Sequence, residues 1–193
     1  MSTQPKRHVT RAEYLEAERR AEYKSEYFDG EVFAMSGASE PHNLIVTNLI
    51  VALGTQLRGR PCRVYPSAMR VKVQPSGLYT YPDVAVVCGK SELEDAHFDT
   101  LLNPTLLIEV LSPSTERWDR GQKAEHYRRL GSLGELLLIA RDAPRIERYR
   151  RHGEREWLIT EFRGFAETVE LASLNASLAM RDVYGGVLSP PAG

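Results

Sequence analysis

Two acidic residues lie inside aliphatic runs, and their placement constrains the fold more than any other feature. They are Asp83 in Tyr81-Pro82-Asp83-Val84-Ala85-Val86-Val87 and Glu109 in Leu106-Leu107-Ile108-Glu109-Val110-Leu111. A carboxylate among aliphatics loses its hydration and needs a cation, a proton or a hydrogen-bond donor beside it. Both runs read as neighbouring core strands. On adjacent strands the two side chains would approach within about 4–5 Å on one face. At an effective dielectric of about 20, charges that close repel by roughly 4 kcal/mol, so both stay ionised only with something positive between them. Oxygen ligands of this kind suit Mg²⁺ or Mn²⁺, and the pair is read as a metal site. The competing reading has Asp83 capping a loop after Pro82 and Glu109 paired with an arginine, because buried ion pairs also bring acids into cores.

The chain of 193 residues, 42% hydrophobic and 26% charged, belongs to the ordinary globular class. It is expected to form one domain over residues 1–193, with an ordered core from about 12 to 184. No apolar run reaches the roughly 18 residues of a membrane span. The N-terminus, Met-Ser-Thr-Gln-Pro-Lys-Arg-His, lacks the apolar stretch of a secretory signal, so a cytoplasmic location is expected. Cys62 and Cys88 have neither zinc-site spacing nor the density of a disulfide scaffold and are read as buried free thiols. A net charge of -1 excludes global electrostatic attraction to nucleic acid, leaving only local patches for such binding. Arginine outnumbers lysine 20 to 5, and after residue 90 the only lysine is Lys123. Lysine can give up a proton where arginine effectively cannot, so its isolation there is a pointer to chemistry.

Thr10 and Glu13 form a capping-box signature for a helix from about Thr10 to Arg20, whose thin apolar face places it on the surface. Asp29-Gly30 predicts a hairpin between Lys24–Phe28 and Glu31–Met35. Ser39, Pro41 and the spacing of Ile45, Val46, Leu49, Ile50, Leu53 and Leu57 predict a core helix ending at Gly59. Val64 to Val73 alternates as one half-exposed strand, with Arg70 and Lys72 on its polar face. After the Glu109 strand, Ser112-Pro113-Ser114-Thr115 starts a helix running to about Leu130. Strands are expected at 135–140, 145–149, 156–162 and 168–171. This order argues an α/β (α+β) fold, a mixed central sheet with helices packed against it.

Asp119, Lys123 and Tyr127 recur at i, i+4 and i+8 and share a helix face. The ammonium can orient a water or offset phosphate charge. On spacing alone the favoured reading is a solvated Asp119–Lys123 pair worth a few tenths of a kcal/mol. Glu31, opening the second arm of the hairpin, is either a third carboxylate or an exposed strand residue. His42, near a helix start, is a candidate to support the site or simply a satisfied helix-terminal histidine.

Several segments together carry a family resemblance: Glu26-Tyr27-Phe28-Asp29-Gly30-Glu31, Pro41-His42-Asn43-Leu44-Ile45, Tyr81-Pro82-Asp83, Pro104-Thr105-Leu106-Leu107-Ile108-Glu109-Val110-Leu111-Ser112-Pro113-Ser114-Thr115 and Asp119-Arg120-Gly121-Gln122-Lys123-Ala124-Glu125-His126-Tyr127. In this order they resemble the Uma2 family, also known as DUF820, of restriction-endonuclease-like proteins, and the likeness runs from about Ala12 to Tyr184. The resemblance implies a PD-(D/E)xK nuclease core with an N-terminal helix and hairpin and additional C-terminal strands. It further implies Asp83 and Glu109 as metal ligands, Glu31 as an additional acid, and Lys123 replacing the usual strand lysine from the neighbouring helix. Two departures stand out: Leu111 occupies the strand position two after Glu109, and Glu135-Leu136-Leu137 stands where members often have Glu-Tyr-Trp.

The resulting expectation is a Mg²⁺- or Mn²⁺-dependent endonuclease acting on DNA, with Arg58, Arg60, Arg63 and Arg70 as candidate backbone contacts. A homodimer through the late strands, Arg145 to Phe162, is the expected assembly. Two other readings stay open: a nucleic-acid-binding or assembly module without turnover, and a hydrolase of another phosphorylated substrate.

Overall fold

The computed structural model describes residues 8–189. Residues 1–7 of the N-terminal segment considered above lie outside the described residues, as do residues 190–193 of the expected domain. Helix α1 (Arg11–Glu18) begins at Thr10 with the capping box formed in both directions. It is not a purely surface helix. Tyr14 is buried, stacks on Tyr27 at 5.0 Å between ring centroids, and donates its hydroxyl to the Ser25 carbonyl at 2.6 Å. One large ring supplies the anchor that the thin apolar face lacks.

Strands β1 (Ser25–Phe28) and β2 (Glu31–Ala34) form the expected hairpin. Asp29 and Gly30 both adopt positive φ, 46° and 83°, as a two-residue hairpin turn with the twist of its strands requires. A Cβ on Gly30 would also meet the His8 ring at 2.2 Å. Helix α2 (Glu40–Gln56) starts at Ser39, with Pro41 in its first turn, and buries Ile45, Leu49 and Leu53 completely.

The expected single strand from Val64 to Val73 is two strands in different sheets, β3 (Cys62–Pro66) and β4 (Arg70–Val73). Pro66 cannot donate to a ladder, and the chain turns there, the Met69 amide donating to the Pro66 carbonyl at 3.0 Å. Arg70 is therefore buried, not on a polar face. It pairs with Asp99 at 2.9 Å and donates to Thr100 Oγ1 and to the Tyr81 hydroxyl, both at 3.0 Å, which removes it from the candidate DNA contacts. Arg60 and Arg63 spend hydrogen bonds on carbonyls, of Leu174 and Asn175 and of Gly89.

Next follow β5 (Leu78–Thr80), β6 (Val84–Cys88), β7 (Thr100–Leu101) and β8 (Leu106–Leu111). The reading of two free thiols is also corrected. β3 and β6 pair antiparallel in a register that sets Cys62 opposite Cys88, with Cα atoms 4.0 Å apart, and the two sulfurs are bonded. A short α3 (Glu116–Trp118) continues through a π-helical turn, Asp119–Lys123, into α4 (Ala124–Arg128). The expected uninterrupted helix is broken at Gly121 (φ −93°, ψ −106°), where the missing side chain permits a non-helical backbone.

The chain ends with β9 (Glu135–Ala140), β10 (Arg145–Arg151), β11 (Trp157–Arg163), β12 (Thr168–Leu171), β13 (Ala176–Ala179) and α5 (Met180–Val183). The central sheet has the order β11-β10-β9-β8-β6-β3. It is mixed: β8 and β9 run parallel around the α3–α4 crossover, and the other pairs are antiparallel. A second sheet, β2-β1-β5-β4-β7, joins α4 on one face, while α2, the β12–β13 pair and α5 cover the other. The fold is thus a mixed α+β architecture with β8 at its centre, all six residues buried. Among the described residues no helix is long and apolar enough to cross a membrane.

Removing Arg70 leaves Asp99 without one cation and the Tyr81 hydroxyl without a donor. Because Asp99 keeps Arg19 and is partly exposed, Arg70→Met should cost about 2–3 kcal/mol, read as a lower urea midpoint at unchanged slope. A loss below about 0.5 kcal/mol would return Arg70 to the surface class.

Candidate active site

Strands β6 and β8 are direct neighbours, with Val84 opposite Ile108. Continuing that antiparallel register by one residue sets Asp83, in the bend just before β6, opposite Glu109. Asp83 Oδ2 accepts from the Val110 amide at 2.7 Å and contacts His42 Nε2 at 3.1 Å. His42 reaches it from the first turn of α2, so the start of that helix and the rim of the central sheet meet at one carboxylate.

Glu109 is buried in β8, and its Oε1 takes the hydroxyl of Tyr127 at 2.6 Å and the ammonium of Lys123 at 3.0 Å. Lys123 is only 4% exposed, unlike a solvated surface pair. Its Nζ lies 2.9 Å from Glu26 Oε1 and 3.6 Å from Asp119 Oδ1. Asp119, Lys123 and Tyr127 do share one side of the helix, and that side faces β8. The π-helical turn between them rotates the chain where a regular helix would not, a local irregularity often found at functional sites.

Glu31 is exposed on β2, paired across the hairpin with Phe28. The hairpin acid that reaches Lys123 is Glu26, from the other arm, and the sequence reading passed over it. One signal was available: Glu26 and Phe28 share a strand face by alternation, and a carboxylate on the same face as a core-packed aromatic should be compensated.

The electrostatics follow from burial. Loss of hydration pushes Glu109 well above the usual carboxylate range; Asp119 and Asp83 push the same way, while Lys123 and the Tyr127 hydroxyl oppose. Asp119 is also raised by burial. Burial works against a charged Lys123, but Glu109, Tyr127, Glu26 and Asp119 outweigh it and hold the lysine well above its ordinary range. The ammonium is therefore a fixed positive charge at neutral pH, beside two carboxyls, Glu109 and Asp119, that hold their protons more tightly than usual.

Among the described residues no group of three or more His, Cys, Asp or Glu side chains is arranged to hold a metal ion. A two-carboxylate site nevertheless fits a hard cation that keeps several waters. The hydrogen bonds to Asp83 fall on Oδ2 and those to Glu109 on Oε1, which leaves Oδ1 and Oε2 without one among the described residues. Those two oxygens are the donors available to Mg²⁺ or Mn²⁺.

A mixed sheet with an acid pair where β6 meets β8, and a lysine delivered from the crossover helix, marks a nuclease-like α+β protein. Residues 11–181 match the model of Uma2, described as "Putative restriction endonuclease", and the chain belongs to that family. Two Synechocystis proteins, each called an uncharacterized protein, are similar over most of their length. One, slr1290, is 35% identical over 91% of this chain and 90% of its own, and the other, sll1609, is 37% identical over 85% and 93%. The fold is shared with the crystal structure of a "putative nuclease belonging to DUF820" from Anabaena variabilis, at a TM-score of 0.76 and 20% identity, covering 93% of this chain and 99% of that one.

The raised Glu109 carries a pH signature. The folded chain holds its proton more tightly than the unfolded one, so its contribution to stability is complete below the unfolded glutamate pKa of about 4.3 and is lost as pH rises through the folded value. Lys123 titrates far above this window. In chelator, the unfolding free energy of the wild type minus that of Glu109→Gln should fall as pH rises above the unfolded glutamate value. A difference that stays flat would mean that Glu109 is ionised throughout.

Proposed function

We propose that the protein is a metal-dependent endonuclease that hydrolyses phosphodiester bonds of DNA, with Asp83 and Glu109 holding Mg²⁺ or Mn²⁺. The observation that supports this most is a charge imbalance: Glu109, Glu26 and Asp119 surround one ammonium, and Asp83 adds a further carboxylate beside them. A divalent cation relieves that excess, and it takes the place of protons that burial otherwise favours on Glu109 and Asp119. Membership of a family described as restriction endonucleases supports a nucleic-acid substrate.

In this reading the cation, when bound, polarises the scissile phosphate and lowers the pKa of a coordinated water. Asp83 is aimed by the Val110 amide and by His42, so one oxygen is tied back and the other is free to ligate. Tyr127 does the same for Glu109. Lys123 keeps its proton, so it acts as a donor that orients the attacking water and offsets charge on the phosphate, not as the base. The same reading places a homodimer contact at the free edge of the central sheet, where Leu158 and Ile159 of β11 are exposed.

Cleavage should be measured on plasmid, single-stranded DNA, RNA and a generic phosphodiester, with and without Mg²⁺ or Mn²⁺. Metal-dependent cutting of DNA, lost in Asp83→Asn, is the expected result. In parallel, Mn²⁺ at about 100 times its dissociation constant should stabilise the wild type by about 2.7 kcal/mol, and Asp83→Asn far less. Lys123→Met should abolish cleavage and keep the metal-induced stabilisation, since lysine is not a ligand. Equal Mn²⁺ shifts in the wild type and Asp83→Asn would overturn the assignment.

A further inference from the structure

We propose that Glu26 is the residue that positions Lys123, holding the ammonium at the reaction centre once Glu109 has turned its charge to a cation. The inference rests on the reading in which Asp83 and Glu109 hold the metal and Lys123 faces the substrate.

Lys123 cannot position itself. Its stem has four flexible carbons, and the backbone beneath it is a π-helical turn broken at Gly121, so neither rotamer nor helix fixes the ammonium. Three carboxylates hold it: Glu26 at 2.9 Å, Glu109 at 3.0 Å and Asp119 at 3.6 Å. A cation on Glu109 draws off negative charge and weakens that arm. Asp119 lies four residues back on the same helix, so it pulls the ammonium along the helix surface. Glu26 alone of the remaining two comes from a separate element, β1, and approaches from across the site.

Glu26 is itself held firmly. β1 and β5 pair with Tyr27 opposite Tyr79, and the next step of that register sets Glu26 opposite Thr80. The buried Thr80 hydroxyl donates to Glu26 Oε1, the same oxygen that meets Lys123. Thr80 also lies 3.4 Å from the Tyr127 hydroxyl, which binds Glu109. Thr80 thus stands beside both carboxylate arms and fixes the one that the metal does not use. At 8% exposure, a carboxylate with no structural partner other than a hydroxyl would be costly; with Lys123 it is compensated.

Glu26→Gln keeps the shape and the Thr80 hydrogen bond and removes the charge. Crystal structures of the Mn²⁺-loaded wild type and of Mn²⁺-loaded Glu26→Gln read the inference without any activity. Lys123 Nζ should stay on Glu26 in the first and swing toward Asp119 in the second. Mn²⁺ affinity by calorimetry should change less than about threefold, because the ligands are intact. On the DNA substrate, kcat should fall about 10²-fold with KM nearly unchanged, and Glu26→Asp should recover part of it. An ammonium that leaves Glu26 in the metal-loaded wild type, or stays in place in Glu26→Gln, would overturn the proposal, and the wild-type structure decides even where the variant does not fold. Normal Lys123 placement with no cleavage of any substrate would instead count against the nuclease reading alone.

Discussion

The contact of the Lys123 ammonium with Glu109 and Glu26 is the interaction on which the rest of this structure depends. It joins the N-terminal hairpin to two consecutive elements much later in the chain, the central strand β8 and the crossover helix. Each member alone would be a buried, uncompensated charge, a state that costs several kcal/mol per ion. Together they are tolerable, but such clusters seldom out-stabilise an apolar core of the same shape. Its place at the centre of the molecule supports the proposed chemistry, in which Asp83 and Glu109 would hold the cation.

The arrangement also explains why two sheets are needed. β8 carries Leu106, Ile108 and Val110 toward α2 and Leu107, Glu109 and Leu111 toward α4 and the second sheet. A face covered only by a helix would leave Glu109 with partners from one direction. The hairpin and β5 bring Glu26 and Thr80 from the other side, and the Tyr14–Tyr27–Tyr79 cluster fastens that hairpin to α1. The N-terminal elements are thus part of the site's support.

Much of this was legible in the sequence where local rules act. Asp29-Gly30 forces positive φ, Ser39 and Pro41 begin a helix, and the acids in the Asp83 and Glu109 runs stand out because aliphatic neighbours remove their water. Lys123 stood out as the one lysine after residue 90 and through the family resemblance, whereas its spacing from Asp119 favoured a surface pair. What stayed hidden depends on contacts between distant segments. Arg70 looked like an alternating strand residue until the turn at Pro66 sent it into another sheet. Cys62 and Cys88 meet only because one antiparallel register opposes them, and a separation of 26 residues carries no trace of that. Glu26 shares a strand face with Phe28, but that Phe28 packs on the core and that Lys123 compensates the acid are both set by segments distant in sequence.

The leucine at position 111 shows what is gained when the lysine comes from a helix. Glu109 and Leu111 are two apart on β8 and so face the same way. Leu111 is 4% exposed and packs in the cluster that includes Ala124 and Tyr127, the residues flanking Lys123's own turn. A lysine at 111 would place its charge inside that apolar contact and would itself need desolvated partners. Supplied from the helix, the ammonium reaches Glu109 at 3.0 Å while Leu111 packs against Ala124 and Tyr127 and binds the helix down. The same contact that seals the core thereby fixes the helix that delivers the charge, so substitutions that loosen Leu111 should reach the site through Lys123 without touching either carboxylate.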